Sequence, residues 1–262
     1  MTLPPIYIMA VITILLSAAL WGGVLYILSG RDRRLLWLLL PGLPLSAVVN
    51  LAIKRPLVLW LGEAGNVEPG LGLASPLWFI VALSFVPPVT EEAIKVLPLL
   101  LPGARRRMDG RTGAMGVGLA LGFSFGLGEA AYLAWGVAQA PEYAGYPWYA
   151  FTGFLSERTA VTLVHGLLTM LVTVGIWHGG WRILGGYLSA VLLHLLTNLG
   201  AILYQLGVIP AWIAGLGLLP SLLILAFVFE RWRRQAAQAG DHEERAAEVV
   251  YFERKGDEER QP

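Results

Sequence analysis

Seven long apolar runs, separated by short polar or basic segments, constrain this chain more than any other feature of its sequence. A helix needs about 20 consecutive, mainly apolar residues to cross the hydrocarbon core of a bilayer. Only 14% of the residues are charged, whereas a soluble domain carries about 25%. We therefore predict an all-α, polytopic transmembrane helix bundle with seven spans, at residues 5–28, 35–53, 71–101, 113–137, 157–177, 184–206 and 211–229.

The third run contains two successive prolines, Pro87 and Pro88. Proline removes a backbone donor and clashes with the preceding helical turn, so we expect a kink or a break there. If the run is a re-entrant pair and not a single crossing, the number of spans becomes eight and the later loops exchange sides.

Basic residues predict the orientation, because cytoplasmic loops carry an excess of lysine and arginine. With the N-terminus outside, the clusters at 31–34, 105–107 and 231–234 all face the cytoplasm. Only Lys54 and Arg55 then fall in a predicted loop on the outer side. We predict a multi-pass protein of the plasma (cell inner) membrane, with residues 1–234 as the transmembrane domain and the polar, acidic residues 235–262 as a cytoplasmic tail.

Three charged residues, Glu91, Glu92 and Lys95, stand inside the third run. Each such residue costs roughly 2.5–3.5 kcal/mol at the bilayer centre, so the group requires an explanation. Lys95 follows the two glutamates by four and three residues, which places all three on one side of a helix. We interpret them as part of a functional site. The alternative is an interfacial ion pair at a helix start that Thr90 caps.

The next three runs add polar side chains at helical spacing. Glu129 lies in the fourth run, Arg158 and His165 share a face of the fifth, and His194 and Asn198 share a face of the sixth. Ionisable residues inside spans are functional-site candidates by default. The alternative for Glu129 is a structural hydrogen bond to a neighbouring helix.

Peptide hydrolysis needs a base, an activated water and a site for the oxyanion, and these residues offer all three. A glutamate can take a proton from water and return it to a leaving amine. A histidine can orient the water, while an amide and a second imidazole can donate hydrogen bonds to the oxyanion. The chain has no cysteine, which excludes a thiol nucleophile.

Four motifs follow one another in the third to sixth runs: Glu91-Glu92-x-x-Lys95, Phe125-x-x-x-Glu129, the pair Arg158 and His165, and His194-x-x-x-Asn198. Together they resemble the motifs of the PrsW family of intramembrane proteases, which is related to the CAAX prenyl endopeptidases and bacteriocin-processing (CPBP) proteins. The CAAX-protease branch typically has arginine after its paired glutamates and histidine in its second motif. This chain has Lys95 and Glu129 at those places, and the resemblance covers about residues 71–206.

The resemblance implies an endopeptidase that cleaves membrane-anchored proteins, and the best-known relatives clip an anti-sigma factor. The implied partners are a membrane-anchored protein substrate and the lipid bilayer, with no nucleic acid. The implied roles are as follows: Glu91 and Glu92 are catalytic, with one of them as the base; Glu129, His165 and His194 complete the water site; Asn198 lies near the oxyanion; Lys95 and Arg158 support the substrate or the structure.

Metal dependence stays open at this point, and we favour catalysis without a cofactor. His165 and His194 with a glutamate, either Glu129 or Glu92, could bind zinc and leave a fourth position for water. Lys95 and Arg158 would oppose such a cation. The sequence has no His-Glu-x-x-His motif, in which two ligands share one helical turn.

Other functional classes and two packing patterns complete the predictions. Buried charges on facing helices also occur in proton-coupled transporters, and in scaffolds they serve only assembly.

The Gly-x-Ser-x-Gly match at 122–126 lies in an apolar run, so we predict no nucleophile elbow there. A stripe of small residues predicts that the fourth span packs closely against a neighbour: Ala114, Gly118, Gly122, Gly126, Ala130 and Ala134.

Overall fold

A computed structural model describes residues 3–68, 72 and 74–258, with side chains as far as residue 238. The described residues form helices and turns and no strand, as predicted for an all-α membrane protein. Seven of their helical segments are long and apolar enough to cross a membrane: Pro5–Leu28, Arg33–Gly65, Leu77–Leu100, Gly110–Ala138, Trp148–His178, Trp181–Gln205 and Ala211–Gln238.

Ten α-helices, one π-helix and several short 3₁₀ turns build these segments within the described part of the chain. The α-helices are α1 (Pro5–Leu28), α2 (Leu43–Val48), α3 (Arg55–Gly65), α4 (Leu77–Ile94), α5 (Pro102–Arg105), α6 (Gly110–Ala138), α7 (Thr152–His178), α8 (Trp181–Gln205), α9 (Ala211–Leu216) and α10 (Leu218–Glu258). The π-helix is Val49–Lys54, and the 3₁₀ turns are Arg33–Leu39, Leu97–Leu100, Pro141–Tyr143 and Trp148–Phe151.

The third predicted span forms one crossing segment among the described residues, so the expected seven spans are found and not eight. Helix α4 continues through Pro87 and Pro88 to Ile94. Thr90 lies inside this helix, where its hydroxyl donates to the carbonyl of Val86 at 2.7 Å. The alternative in which Thr90 caps a helix start is therefore wrong. Positions 71 and 73 of the predicted span lie outside the described residues.

The second span extends well beyond its predicted end at residue 53. The chain passes without a break from α2 through the π-helix into α3, which ends at Gly65. Lys54 and Arg55 thus lie inside a span, and their prediction as an outer loop is wrong. Residues 57–61 supply the reason, because the sequence Leu-Val-Leu-Trp-Leu is again apolar and continues the run after the two charges.

The small-residue stripe brings α6 and α7 into backbone contact, as its spacing predicts. A side chain added at Gly126 would meet the Cα of Thr162 at 2.8 Å, and one added at Gly118 would meet the backbone nitrogen of Met170 at the same distance. Only glycine therefore allows this approach of the two helices. Most of α6 is buried, which places this helix in the centre of the bundle.

Ser124 of the Gly-x-Ser-x-Gly match is a structural residue on α6. Its hydroxyl donates to the carbonyl of Leu39 and accepts from the backbone N–H of Gly42, each at 2.8 Å. These bonds join the turn before α2 to the central helix. The hydroxyl is fully engaged inside a helix, which confirms that this match is not a nucleophile elbow.

The chain divides into two compact units, Met1–Leu225 and Ala226–Pro262. The division falls nine residues before the predicted boundary of the polar tail at 235. Within the second unit the backbone is helical as far as Glu258. Exposed ion pairs join Glu230 to Arg233 and Arg234 on this helix, and such surface pairs contribute little to stability.

Candidate active site

A cluster of charged and imidazole side chains lies in the interior of the first unit, between residues of five helical segments. Seven of its members belong to the predicted motifs of α4, α6, α7 and α8, and Lys54 joins them from the π-helix. Their side chains are buried or nearly so. The members are Lys54, Glu91, Glu92, Lys95, Glu129, Arg158, His165 and His194.

Glu92 is completely buried and binds two donors through one oxygen. Its Oε1 lies 2.6 Å from the ammonium of Lys95 and 2.6 Å from Nδ1 of His194. Its Oε2 has no hydrogen-bond partner among the residues that the structure describes. An unsatisfied oxygen of this kind is costly inside a protein and calls for an explanation.

His194 is oriented by this carboxylate. Because a carboxylate only accepts hydrogen bonds, Nδ1 of His194 must carry a proton and donate it to Glu92. The other ring nitrogen, Nε2, then presents a lone pair, and it lies 3.9 Å from Oε2 of Glu91. A group that donates hydrogen bonds, such as water, can serve both acceptors.

Glu91 also uses only one of its two oxygens. Its Oε1 accepts a hydrogen bond from the ammonium of Lys54 at 2.6 Å. Its Oε2 is buried without a partner and faces His194. Glu91 and Glu92 therefore each leave one carboxylate oxygen unpaired on the same turn of α4.

Glu129 and His165 form the second half of the cluster. The ammonium of Lys95 donates to Nδ1 of His165 at 2.7 Å, so Nε2 carries the proton and donates to Oε2 of Glu129 at 3.0 Å. The guanidinium of Arg158 donates to the same Glu129 oxygen at 3.0 Å. Both ring nitrogens of His165 are thus engaged, in contrast to those of His194.

The cluster reaches an exposed residue through Arg158. This guanidinium also donates to Glu157 at 2.6 Å. The exposed fraction of the side chain rises from 2% at Glu91 to 12% at Arg158 and 61% at Glu157. Polar contacts therefore run without a gap from the buried end of the cluster towards the N-terminal end of α7.

Aromatic rings enclose the centre of the cluster. The edge of Phe125 contacts His165 with ring centroids 5.3 Å apart, and the ammonium of Lys95 lies 4.8 Å from the centroid of Phe125. The two histidine rings meet edge to face at 5.5 Å. Lys95 accordingly has a cation–π contact as well as its two hydrogen bonds.

Most of the predicted site residues come together, with one difference. Asn198 is half-buried on α8, and no hydrogen bond joins its side chain to any described residue of the cluster. Lys54 belongs to the cluster, although the sequence placed it in a loop. His178 lies outside the cluster, and its ring contacts the carbonyl of Val174 at the end of α7.

Three side chains could in principle hold a metal ion. One ligand atom each from Glu91, His165 and His194 lie within 4.8 Å of one another. The carboxylate in this group is Glu91, whereas the sequence suggested Glu129 or Glu92. Glu91 and His194 offer unpaired ligand atoms and fit a metal, but both nitrogens of His165 are already occupied by Lys95 and Glu129. The donor set therefore fits a metal only in part.

The formal charges of the cluster balance without a metal ion. Three carboxylates, of Glu91, Glu92 and Glu129, face three cations, of Lys54, Lys95 and Arg158. A divalent cation would add two positive charges beside two ammonium groups, which is unfavourable in an interior of low polarity.

The chain matches no protein-family model, no curated protein and no solved structure with which it was compared.

Proposed function

We propose that this protein is an intramembrane endopeptidase that hydrolyses a peptide bond with a water molecule activated by Glu91. One observation carries the proposal: the unpaired Oε2 of Glu91 and the free Nε2 of His194 lie 3.9 Å apart in the protein interior. Two acceptors at this distance suit a water that donates a proton to each. A purely structural ion-pair network does not need two unpaired acceptors so close to each other.

The reaction follows the general-base pattern. Oε2 of Glu91 takes one proton from the water while the water oxygen bonds to the carbonyl carbon of the substrate, and the carbonyl electron pair moves to its oxygen. When this pair returns, the carbon–nitrogen bond breaks and Glu91 gives its proton to the leaving nitrogen. The products are a carboxylic acid and an amine, and Glu91 is again a carboxylate.

The neighbouring residues position the reacting groups. Glu92 holds the ring of His194 in the tautomer that accepts from the water, and Lys95 holds Glu92. Asn198 follows His194 by one helical turn on the same face of α8, from which it would donate to the oxyanion once a substrate is bound. Arg158 stands at the exposed end of the cluster, where a substrate chain would first meet it.

The basic residues support a plasma-membrane protein with a cytoplasmic C-terminus. Lys54, Lys95 and Arg158 belong to the buried cluster, and Arg55 lies next to Lys54 inside the second span. The other basic residues lie near or beyond those ends of the spans that alternate to one side, or in the tail. An excess of this kind is typical of the cytoplasmic side.

The substrate class that suits this site is a membrane-anchored protein, of the kind that the resemblance to PrsW implies. A centre buried among membrane spans is reached by a chain that itself enters the bilayer. An anti-sigma-factor-like protein with one span is the specific form of this proposal. The exposed Glu157 and the nearly buried Arg158 beside it mark the side from which it would enter.

The direct test is cleavage in liposomes that contain only the purified protein and single-span substrates. We expect the wild type to produce two fragments, and Glu92→Gln and His194→Ala to retain the fold and lose cleavage. A half-buried histidine outside the cluster supplies the control, and His178→Ala should cleave normally. Absence of cleavage by the wild type, together with substrate-dependent proton movement in the same vesicles, would identify a transporter and refute the peptidase.

A zinc-dependent peptidase is a second candidate, because Glu91, His165 and His194 bring three ligand atoms within 4.8 Å. In that case these residues would hold the ion, and the metal would supply Lewis acidity. For the favoured mechanism we expect that chelators leave cleavage unchanged and that elemental analysis finds no stoichiometric metal. One bound zinc per chain, lost in His165→Ala and His194→Ala, would favour the metallopeptidase.

A further inference from the structure

The ammonium of Lys54 supplies the only hydrogen bond that the Glu91 carboxylate receives among the described residues. Glu92, on the same turn of α4, receives two. The two adjacent glutamates therefore differ in how they are held. Glu91 is fixed through one oxygen by a residue from outside the four predicted motifs, and its other oxygen is directed at His194.

The π-helix explains how Lys54 reaches this position. A π turn contains one more residue than an α turn, so it rotates the following side chains by about 100° compared with an uninterrupted α-helix. The side-chain amide of Asn50 donates to the carbonyl of Ser46 at 2.8 Å, at the junction where the spacing of the backbone bonds changes. The next residue after the π-helix, Arg55, is exposed. The irregular turn thus directs Lys54, and not Arg55, at Glu91.

We propose that Lys54 is the positioning residue that makes Glu91, and not Glu92, the base. This role rests on the proposed peptidase function. By binding Oε1, the ammonium turns the carboxylate so that Oε2 points at Nε2 of His194. It also supplies the positive charge that an ionised carboxylate with 2% exposure requires. Lys54 itself is 14% exposed and contacts Glu91 through Oε1, not through the oxygen that would take the proton.

The test compares Lys54→Gln, Lys54→Met and Lys54→Arg with Arg55→Gln in the liposome cleavage assay. Arg55→Gln is the matched control, because it removes the same charge from the adjacent, exposed position. We expect the two neutral variants at Lys54 to lower kcat by about 10–100-fold, as for other residues that orient a reacting group, with KM within about twofold. Lys54→Arg should recover most of kcat, and Arg55→Gln should equal the wild type.

Each outcome decides between this role and a broader failure. If Glu91→Gln abolishes cleavage while Lys54→Gln and Lys54→Met retain normal kcat, the Lys54 role is overturned and the peptidase stands. An inactive wild type overturns the peptidase and this role together. If both neutral variants lose their thermal unfolding transition, Lys54 acts in folding and the positioning role is also overturned. A fall in kcat that Lys54→Arg reverses supports the role.

Discussion

The two halves of the buried cluster have similar residues and different degrees of hydrogen bonding. The paired half consists of Glu129, His165 and Arg158, and both nitrogens of its histidine are engaged. The open half consists of Glu91, Glu92 and His194. Among the described residues, two of its carboxylate oxygens have no hydrogen bond, and Nε2 of His194 has only the 3.9 Å contact with Glu91. Lys95 joins the halves, because its ammonium binds both Glu92 and His165.

We interpret the paired half as structural support and the open half as the place of the proposed chemistry. Saturated polar networks make a protein interior rigid and specific, whereas unsatisfied buried groups cost stability and are retained where they serve a function. Burial alone does not distinguish the halves, since His165 and His194 are both buried. The unpaired atoms do distinguish them, and for this reason we place the proposed reacting water in the open half.

The largest effect is expected for Glu91→Gln in the open half. Removing a general base lowers kcat by about 10²–10⁴-fold, while the amide still fills the space and can still accept from Lys54. The measurement is fragment formation in liposomes, together with thermal unfolding to confirm the fold. Glu63→Gln, at an exposed glutamate of α3, is the matched control. Equal activity in the two variants would mean that Glu91 is not the base.

A different effect is expected for Glu129→Gln in the paired half. Removing one partner of a buried ion pair costs about 3–5 kcal/mol in the free energy of unfolding, because the acceptor that Arg158 and His165 share loses its negative charge. We expect this loss in mixed-micelle unfolding, with a fall in kcat of only about tenfold. If the stability were unchanged and cleavage lost entirely, the paired half would itself be catalytic.

The smallest effect is expected for Gly122→Ala on the packing stripe. An added methyl group would meet the Cα of Gly166 at 2.5 Å, and overpacking of this kind costs about 1–3 kcal/mol. Gly136→Ala is the control on the same helix, because a methyl group there has no neighbour within 4 Å. We expect lower unfolding stability only at Gly122. Equal stability of both variants would show that the seam adapts to the methyl group.

The sequence predicted the fold well, since the length and hydropathy of each run determine whether it can cross a bilayer. It also predicted most of the cluster, because a charged residue inside an apolar run is costly enough to demand a partner. It could not predict which oxygen of Glu91 or Glu92 would stay unpaired. That depends on the relative placement of α4 and α8, which the spacing of residues along one helix does not determine.

Lys54 shows how the sequence misled, and Asn198 shows what it left open. A basic pair after 19 mainly apolar residues usually marks the membrane boundary, so Lys54 was assigned to a loop. A π turn, in addition, has no reliable sequence signature. The apolar residues 57–61 were the available signal for a longer span. For Asn198, a shared helix face with His194 was correct, but a common face does not establish a hydrogen bond.

The glycine contacts between α6 and α7 have a consequence for how the protein can move. Sliding one helix along the other by a single turn, about 5.4 Å, would drive side chains of α7 into the backbone of α6, so the axial register of the pair is locked. Glu129 and His165 therefore keep a constant separation. Any opening that admits a substrate must come from displacement of other segments against this fixed pair.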